Sequence, residues 1–161
     1  MTEDETKQPP EANSFIAEVG KLAARFCWPL RTFERGDEVV CVAQLANDPE
    51  FERFVWIYDT DRVMLRCMLV GKNKVVPGQR AVFFELCARV NEALPFGCLE
   101  YSFDEDILVF RDSTDLDWGP MDALVEGSTA RVLNLAESYA AAIANVLKGV
   151  SPKDAIAGAD V

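Results

Sequence analysis

Between residues 28 and 69 the chain passes through four short, apolar-rich stretches joined by connections of only a few residues. Parallel neighbours need a crossover of a dozen or more residues, so connections this short force antiparallel pairing. Residues 28–33 form the first stretch, with Pro29 marking a strand start or an edge. Gly36-Asp37 turns the chain. Val39, Cys41, Ala43 and Leu45 then alternate with Val40, Val42 and Gln44, and Asn47-Asp48-Pro49 breaks the run. Phe54, Trp56 and Tyr58 alternate with Val55 and Ile57. After Asp59-Thr60-Asp61, Val63, Leu65, Cys67 and Leu69 alternate with Met64, Arg66 and Met68.

A helix and a hairpin follow. Phe83, Leu86, Cys87, Val90 and Leu94 recur at three- and four-residue spacings, which makes one helix face apolar, and Pro77 suits its first turn. Pro95 and Gly97 stop it. Leu99, Tyr101 and Phe103 alternate with Cys98, Glu100 and Ser102. Asp104-Glu105-Asp106 is a charged turn, and residues 107–110 run back. Two further helices bracket this unit. Ser14 can cap one whose apolar face is Phe15, Ile16, Val19, Leu22, Ala23 and Phe26. Pro120 opens a long one that Gly149 closes, with Leu124, Val125, Val132, Leu135, Tyr139, Ile143, Val146 and Leu147 on its buried side. Gly127 inside it costs about 1 kcal/mol relative to alanine. Ser151-Pro152 begins a last short helix through Ile156. The expected fold is α+β: an antiparallel sheet of five to six strands with helices packed on it. Residues 1–13 read as a disordered acidic tail and 14–161 as a single domain.

Composition narrows the function classes. The net charge is -11, so phosphate repulsion argues against nucleic acid and anionic membranes as partners. No apolar run reaches the ~18 residues of a membrane span, and no basic-then-apolar leader opens the chain. The five cysteines are odd in number and lack C-x-x-C spacing, as expected of a reduced, cytoplasmic protein. Histidine is absent, which removes Cys–His and Ser–His nucleophile systems.

The remaining polar groupings read as structure. Asp112, Asp115 and Asp117 lack the order of a calcium loop and read as a solvated acidic loop before the long helix. Three carboxylates at the 104–106 turn are exposed, with little reason for raised pKa values. Cys87 shares the apolar helix face and reads as core. Gly71-Lys72-Asn73-Lys74 lacks the phosphate-loop pattern. No catalytic, cofactor-binding or metal-binding residues are expected. Trp56 reads as core and Trp118, beside Gly119-Pro120, as a contact residue. Phe84, flanked by Ala81 and Ala88, reads as a second contact residue suited to a two-fold helix approach, or else as packed under the long helix.

From residue 54 to 156 the chain resembles the YbjN family of bacterial sensory transduction regulators. The residues that carry the likeness are Val76-Pro77-Gly78-Gln79-Arg80, Asn91 and Leu94, Gly97, the hairpin from Glu100 to Asp104, and Val109-Phe110-Arg111. They are followed by Tyr139 and the run from Gly149 to Ile156. The hairpin turn departs from the pattern, with Asp104-Glu105-Asp106 where a glycine is common. The resemblance implies a secretion chaperone-like fold and a non-enzymatic protein-binding module: a sensory transduction regulator or chaperone-like adaptor. A type III secretion chaperone for an effector segment is the first alternative. A small-molecule binder or a carboxylate-based hydrolase is the second. The expected assembly is a homodimer, through Phe84 or through an open sheet edge at residues 107–110.

Overall fold

The computed structural model describes residues 10–157. The first helix, α1 (Pro10–Arg25), starts four residues before Ser14, and residues 1–9 of the expected tail lie outside the described residues. Ala12 is the reason for the earlier start. It stands three residues before Phe15 on the same face and is fully buried with it, so the apolar stripe continues one turn further back. Proline is tolerated there because first-turn N–H groups have no partner within the helix.

The end of α1 is a surprise in residue type. Cys27 takes the left-handed conformation (φ 56°), and the N–H groups of Cys27 and Trp28 bond the carbonyls of Ala24 and Ala23. That paired pattern normally falls to glycine. The long helix α3 (Met121–Leu147) ends in the same way with Gly149 at φ 94°. Cys27 is exposed, whereas Cys41 and Cys67 are buried and burial pushes the Cys67 thiol up to about 12. Alkylation at pH 8 is therefore expected to label Cys27 within minutes and Cys67 only on unfolding. Equal labelling of the two in the native protein, read by peptide mass spectrometry, would contradict this burial.

Six strands form one antiparallel sheet: β1 (Leu30–Arg35), β2 (Glu38–Gln44), β3 (Phe51–Asp59), β4 (Met64–Gly71), β5 (Cys98–Ser102) and β6 (Ile107–Asp115). Their order is β1-β2-β3-β4-β6-β5. The first four are a meander. Helix α2 (Arg80–Ala93), preceded by a 3-10 turn at Pro77–Gln79, then carries the chain across one face so that β6 inserts between β4 and β5. Residues 107–110 are thus interior, and the expected open edge there does not exist. The four are apolar and buried in succession, as in a strand covered on both faces. The edges are β1 and β5.

Helices α1, α2, α3 and α4 (Pro152–Ile156) cover one face of the sheet. Trp56 is fully buried beneath them and donates from Nε1 to Thr129 Oγ1 at 2.8 Å. The innermost side of α3 differs from expectation. Ser128, Thr129, Ala136 and Ala142 are buried, while Leu124, Leu135, Ile143 and Leu147 stand half-buried at the flanks. Small residues let the helix axis approach the sheet, and the leucines close the sides. Gly127 neither breaks the helix nor meets a close neighbour, since a Cβ there would lie 3.5 Å from Arg131. Phe26, expected in the core, is 44% exposed and stacks on Trp28.

Candidate protein-contact surfaces

Alternation along the strands sends a second set of apolar side chains to the face that no described helix covers. Val40, Val55, Ile57, Val70, Ile107 and Val109 are buried there, with Val42 and Met68 packed against them. A groove of about 410 Å³ runs over this floor. Its walls include Phe33 and Arg35 on β1 and Glu100 and Ser102 on β5, the two opposite edges. Five strand spacings span about 24 Å when flat, so one groove reaches both edges only because the sheet curls over its helix-free face.

Ion pairs shelter the floor. Arg53 Nη2 reaches both carboxylate oxygens of Glu105 at 2.8 Å, Arg111 meets Glu100 at 2.7 Å, and Glu38 is shared by Arg35 and Arg66. Exposed pairs of this kind add little to stability by themselves. The register sets Arg66 opposite Ile57 and Arg53 opposite Val70 on this face, where floor residues are under 10% exposed, and an arginine stem can cover apolar surface while its head stays in water.

The β5 edge borders the groove. Leu99 donates its N–H to Asn91 Oδ1 at 2.8 Å, and its carbonyl accepts from Asn91 Nδ2 at 3.0 Å. The side chain amide of α2 therefore occupies the outward backbone groups of Leu99 and blunts the edge against strand addition. Beyond it lies an exposed aromatic patch. Phe84 is 41% exposed and packs on Tyr101 (5.1 Å between ring centroids) and Phe103 (5.6 Å), not under α3.

The hairpin turn is tied down on both sides. Glu105 reaches Arg53 on the groove side, while Asp106 accepts from Tyr101 Oη and from Arg80 Nη2 at 2.7 Å. Asp106 stands at φ 57°, the left-handed position that a glycine would fill, and aspartate is among the few residues that tolerate it. The Tyr101 hydroxyl and then Arg80 hold its carboxyl below the usual 3.8; Arg35 and then Arg66 hold Glu38 below 4.5. In acid the unfolded chain binds these protons first. The stability they contribute is thus complete above pH 4.5 and is lost as pH falls through the depressed folded values. Asp106→Asn should flatten the fall of melting temperature between pH 4 and pH 2. An unchanged slope would mean that the contacts are not made in solution.

The three aspartates of the expected acidic loop are dispersed, and the loop reading is corrected. β6 continues through Asp115, so Asp112 belongs to the strand and is only 4% exposed. Its Oδ2 accepts from Ser128 Oγ (2.5 Å), Arg131 Nε (3.0 Å) and Nη2 (2.8 Å), and Thr114 Oγ1 (3.2 Å). A buried carboxylate needs such partners. Asp115 faces the other side of the sheet and accepts from Asp117 N at 2.9 Å, capping a 3-10 turn at Leu116–Trp118. Trp118 is 77% exposed. Cys87 is half-buried against the core, and burial raises its thiol to about 12.

Phe84 and Trp118 are not brought together. Phe84 meets Tyr101, which pairs with Leu108 near the start of β6, whereas Trp118 follows its end at Asp115. The intervening strand spans roughly 23 Å. No helix among the described residues is long and apolar enough to cross a membrane. No family model, curated protein or solved structure matches this chain.

Proposed function

We propose that the chain is a YbjN-like, non-enzymatic adaptor of the bacterial cytoplasm that works by protein contact, with the curled sheet face as the seat for a partner segment. The observation that carries this reading is the second apolar cluster, which no helix covers among the described residues. With the ion pairs parted, this floor is an apolar patch rimmed by polar groups, and exposed patches of that kind mark interaction sites on soluble proteins. The groove is open and its ion pairs can part to admit a peptide. The slot between α3 and the sheet, lined by Phe83, Leu108 and Ile143, holds about 60 Å³, against the ~300 Å³ or more usual for small-molecule sites. Capture from the source organism's lysate tests the reading. A client held by the wild type and by Trp118→Ala, but lost with Met68→Glu at unchanged circular dichroism, is the expected result. A client retained by Met68→Glu rules the groove out as its seat. A regulatory client selects the signalling role and a secreted one the secretion chaperone role.

Self-association is the second reading, and the exposed patch of Phe84, Tyr101 and Phe103 favours it. A helix that presents its aromatic beside Ala81 and Ala88 can meet its own copy across a two-fold axis. Light scattering at tens of micromolar should give a dimer mass that Phe84→Glu reduces to a monomer. A monomeric wild type ends this reading without touching the groove.

A further inference from the structure

A second cleft, at the far end of β6 from Phe84, holds about 520 Å³. Tyr58, Val63, Leu116 and Met121 form its apolar side, and Glu11 and Asp117 are its charged lining residues. Neither carboxylate has an ion-pair partner among the described residues, and no lysine or arginine lines the cleft. Tyr58 is 4% exposed and lines this cleft, yet among the described residues its hydroxyl makes no hydrogen bond. The enclosed side-chain polar atoms without a partner, among the described residues, are Arg111 Nε and Tyr139 Oη; Tyr58 Oη is not one of them, so it opens to the cleft, where it can donate to or accept from a ligand. Beside the cleft the Trp118 indole projects into solvent at 77% exposure.

We infer that this cleft docks a basic segment of a partner protein, a lysine or arginine flanked by an apolar residue. The cation lies between Glu11 and Asp117, its stem along Leu116 and Met121, and the Trp118 ring face covers the charge through a cation–π contact. Tyr58 Oη bonds the segment's backbone. Glu11 also stands in the first turn of α1, whose N-terminus carries only about half a positive charge, and Asp117 in a three-residue 3-10 turn too short to add a comparable field. The rim therefore stays negative. Charge also disfavours two other occupants. Residues 1–9 hold Glu3, Asp4 and Glu5 against Lys7, and a second copy of the chain brings a further net charge of -11. The same charge steers a basic partner inward. This site is independent of the groove and stands or falls separately from it.

The test uses the full chain and a fluorescein-labelled Lys-Leu-Arg-Leu-Lys-Arg peptide, with Glu-Leu-Glu-Leu-Glu-Glu as the reversed-charge control. Anisotropy should show saturable binding of the basic peptide only, weakening with salt. Trp118→Ala, Asp117→Asn and Tyr58→Phe should each weaken it about tenfold. Met68→Glu in the groove should leave it unchanged. Trp118 and Asp117 are exposed, so these two variants keep the fold, which thermal melts verify. Three results overturn the proposal: no binding at millimolar peptide, equal binding of both peptides, or basic-peptide binding that Trp118→Ala and Asp117→Asn leave intact. The last would reflect diffuse attraction to an acidic surface.

Discussion

Asp112→Ala is expected to cost about 3 kcal/mol, a large part of the 5–15 kcal/mol that holds a domain of this kind. Four hydrogen bonds converge on one oxygen of this carboxylate, from three side chains on two elements. Thr114 lies on β6 with Asp112, and Ser128 and Arg131 come from α3, so the group fastens the long helix to an interior strand of the sheet. Ser128 is fully buried and Thr114 nearly so. Alanine would leave Ser128 Oγ without its acceptor, and a stranded buried donor costs about 1–3 kcal/mol. Thr114 keeps a contact to Arg131 Nη2 at 2.8 Å. The Arg131 side chain is 40% exposed and can turn to water, which places the loss at the low end of the 3–5 kcal/mol typical for a broken buried pair. A double-mutant cycle of Asp112→Ala with Arg131→Ala should show coupling above 1 kcal/mol. Urea unfolding measures both quantities. A loss below 1 kcal/mol for Asp112→Ala would mean that water replaces the carboxylate, and the helix would then be held by apolar packing alone.

Gly97→Ala should cost about 2–5 kcal/mol, for two separable reasons. The residue sits at φ 70°, where a side chain costs about 1–2 kcal/mol. Its Cβ would also stand 2.6 Å from Leu135 Cδ1 and 3.1 Å from the Arg111 carbonyl oxygen. Leu135 can rotate. The Arg111 carbonyl belongs to the interior strand β6 and cannot withdraw, so overpacking adds about 1–3 kcal/mol. Other glycines divide the two effects. Gly36 has φ 60° and open space, so Gly36→Ala reports the conformational cost alone. Gly20 lies in α1 with open space, so Gly20→Ala should stabilise by up to about 1 kcal/mol. Thermal or urea melts of the three variants give the order directly. Gly97→Ala no worse than Gly36→Ala would show that the turn between α2 and β5 yields without strain.

Much of the local structure could be read from residue order. Alternation placed β2, β3, β4 and β5 within two or three residues of their bounds, whereas β6 runs five residues past the expected end at 110; Gly97 and Gly149 marked real stops and Pro120 a real start. The misreadings have a common form. Asp112, Ser128 and Thr129 are polar, so pattern alone sent the first to a solvated loop and passed over the other two. Their burial is possible only because β6 and α3 supply one another's hydrogen bonds. Asn91 stood in the resembling motif as a bare match. Its role at the β5 edge depends on where that edge lies. Cys27 gave no sign of a helix end, since its residue type does not favour the left-handed conformation it adopts.

Periodicity reports which side of an element is apolar, and short connections report that neighbours are antiparallel. Those two local facts settled the α+β class. They do not say what covers a face or which strand lies beside which. The α2 crossover spans more than twenty residues, and over that distance the pairing of β6 with β4 is decided by shape and burial across the whole sheet. Insertion of β6 removed the expected edge, buried Asp112, and held Phe84 and Trp118 at opposite ends. The curl that makes the helix-free face a groove is likewise a property of six strands together and of no single one.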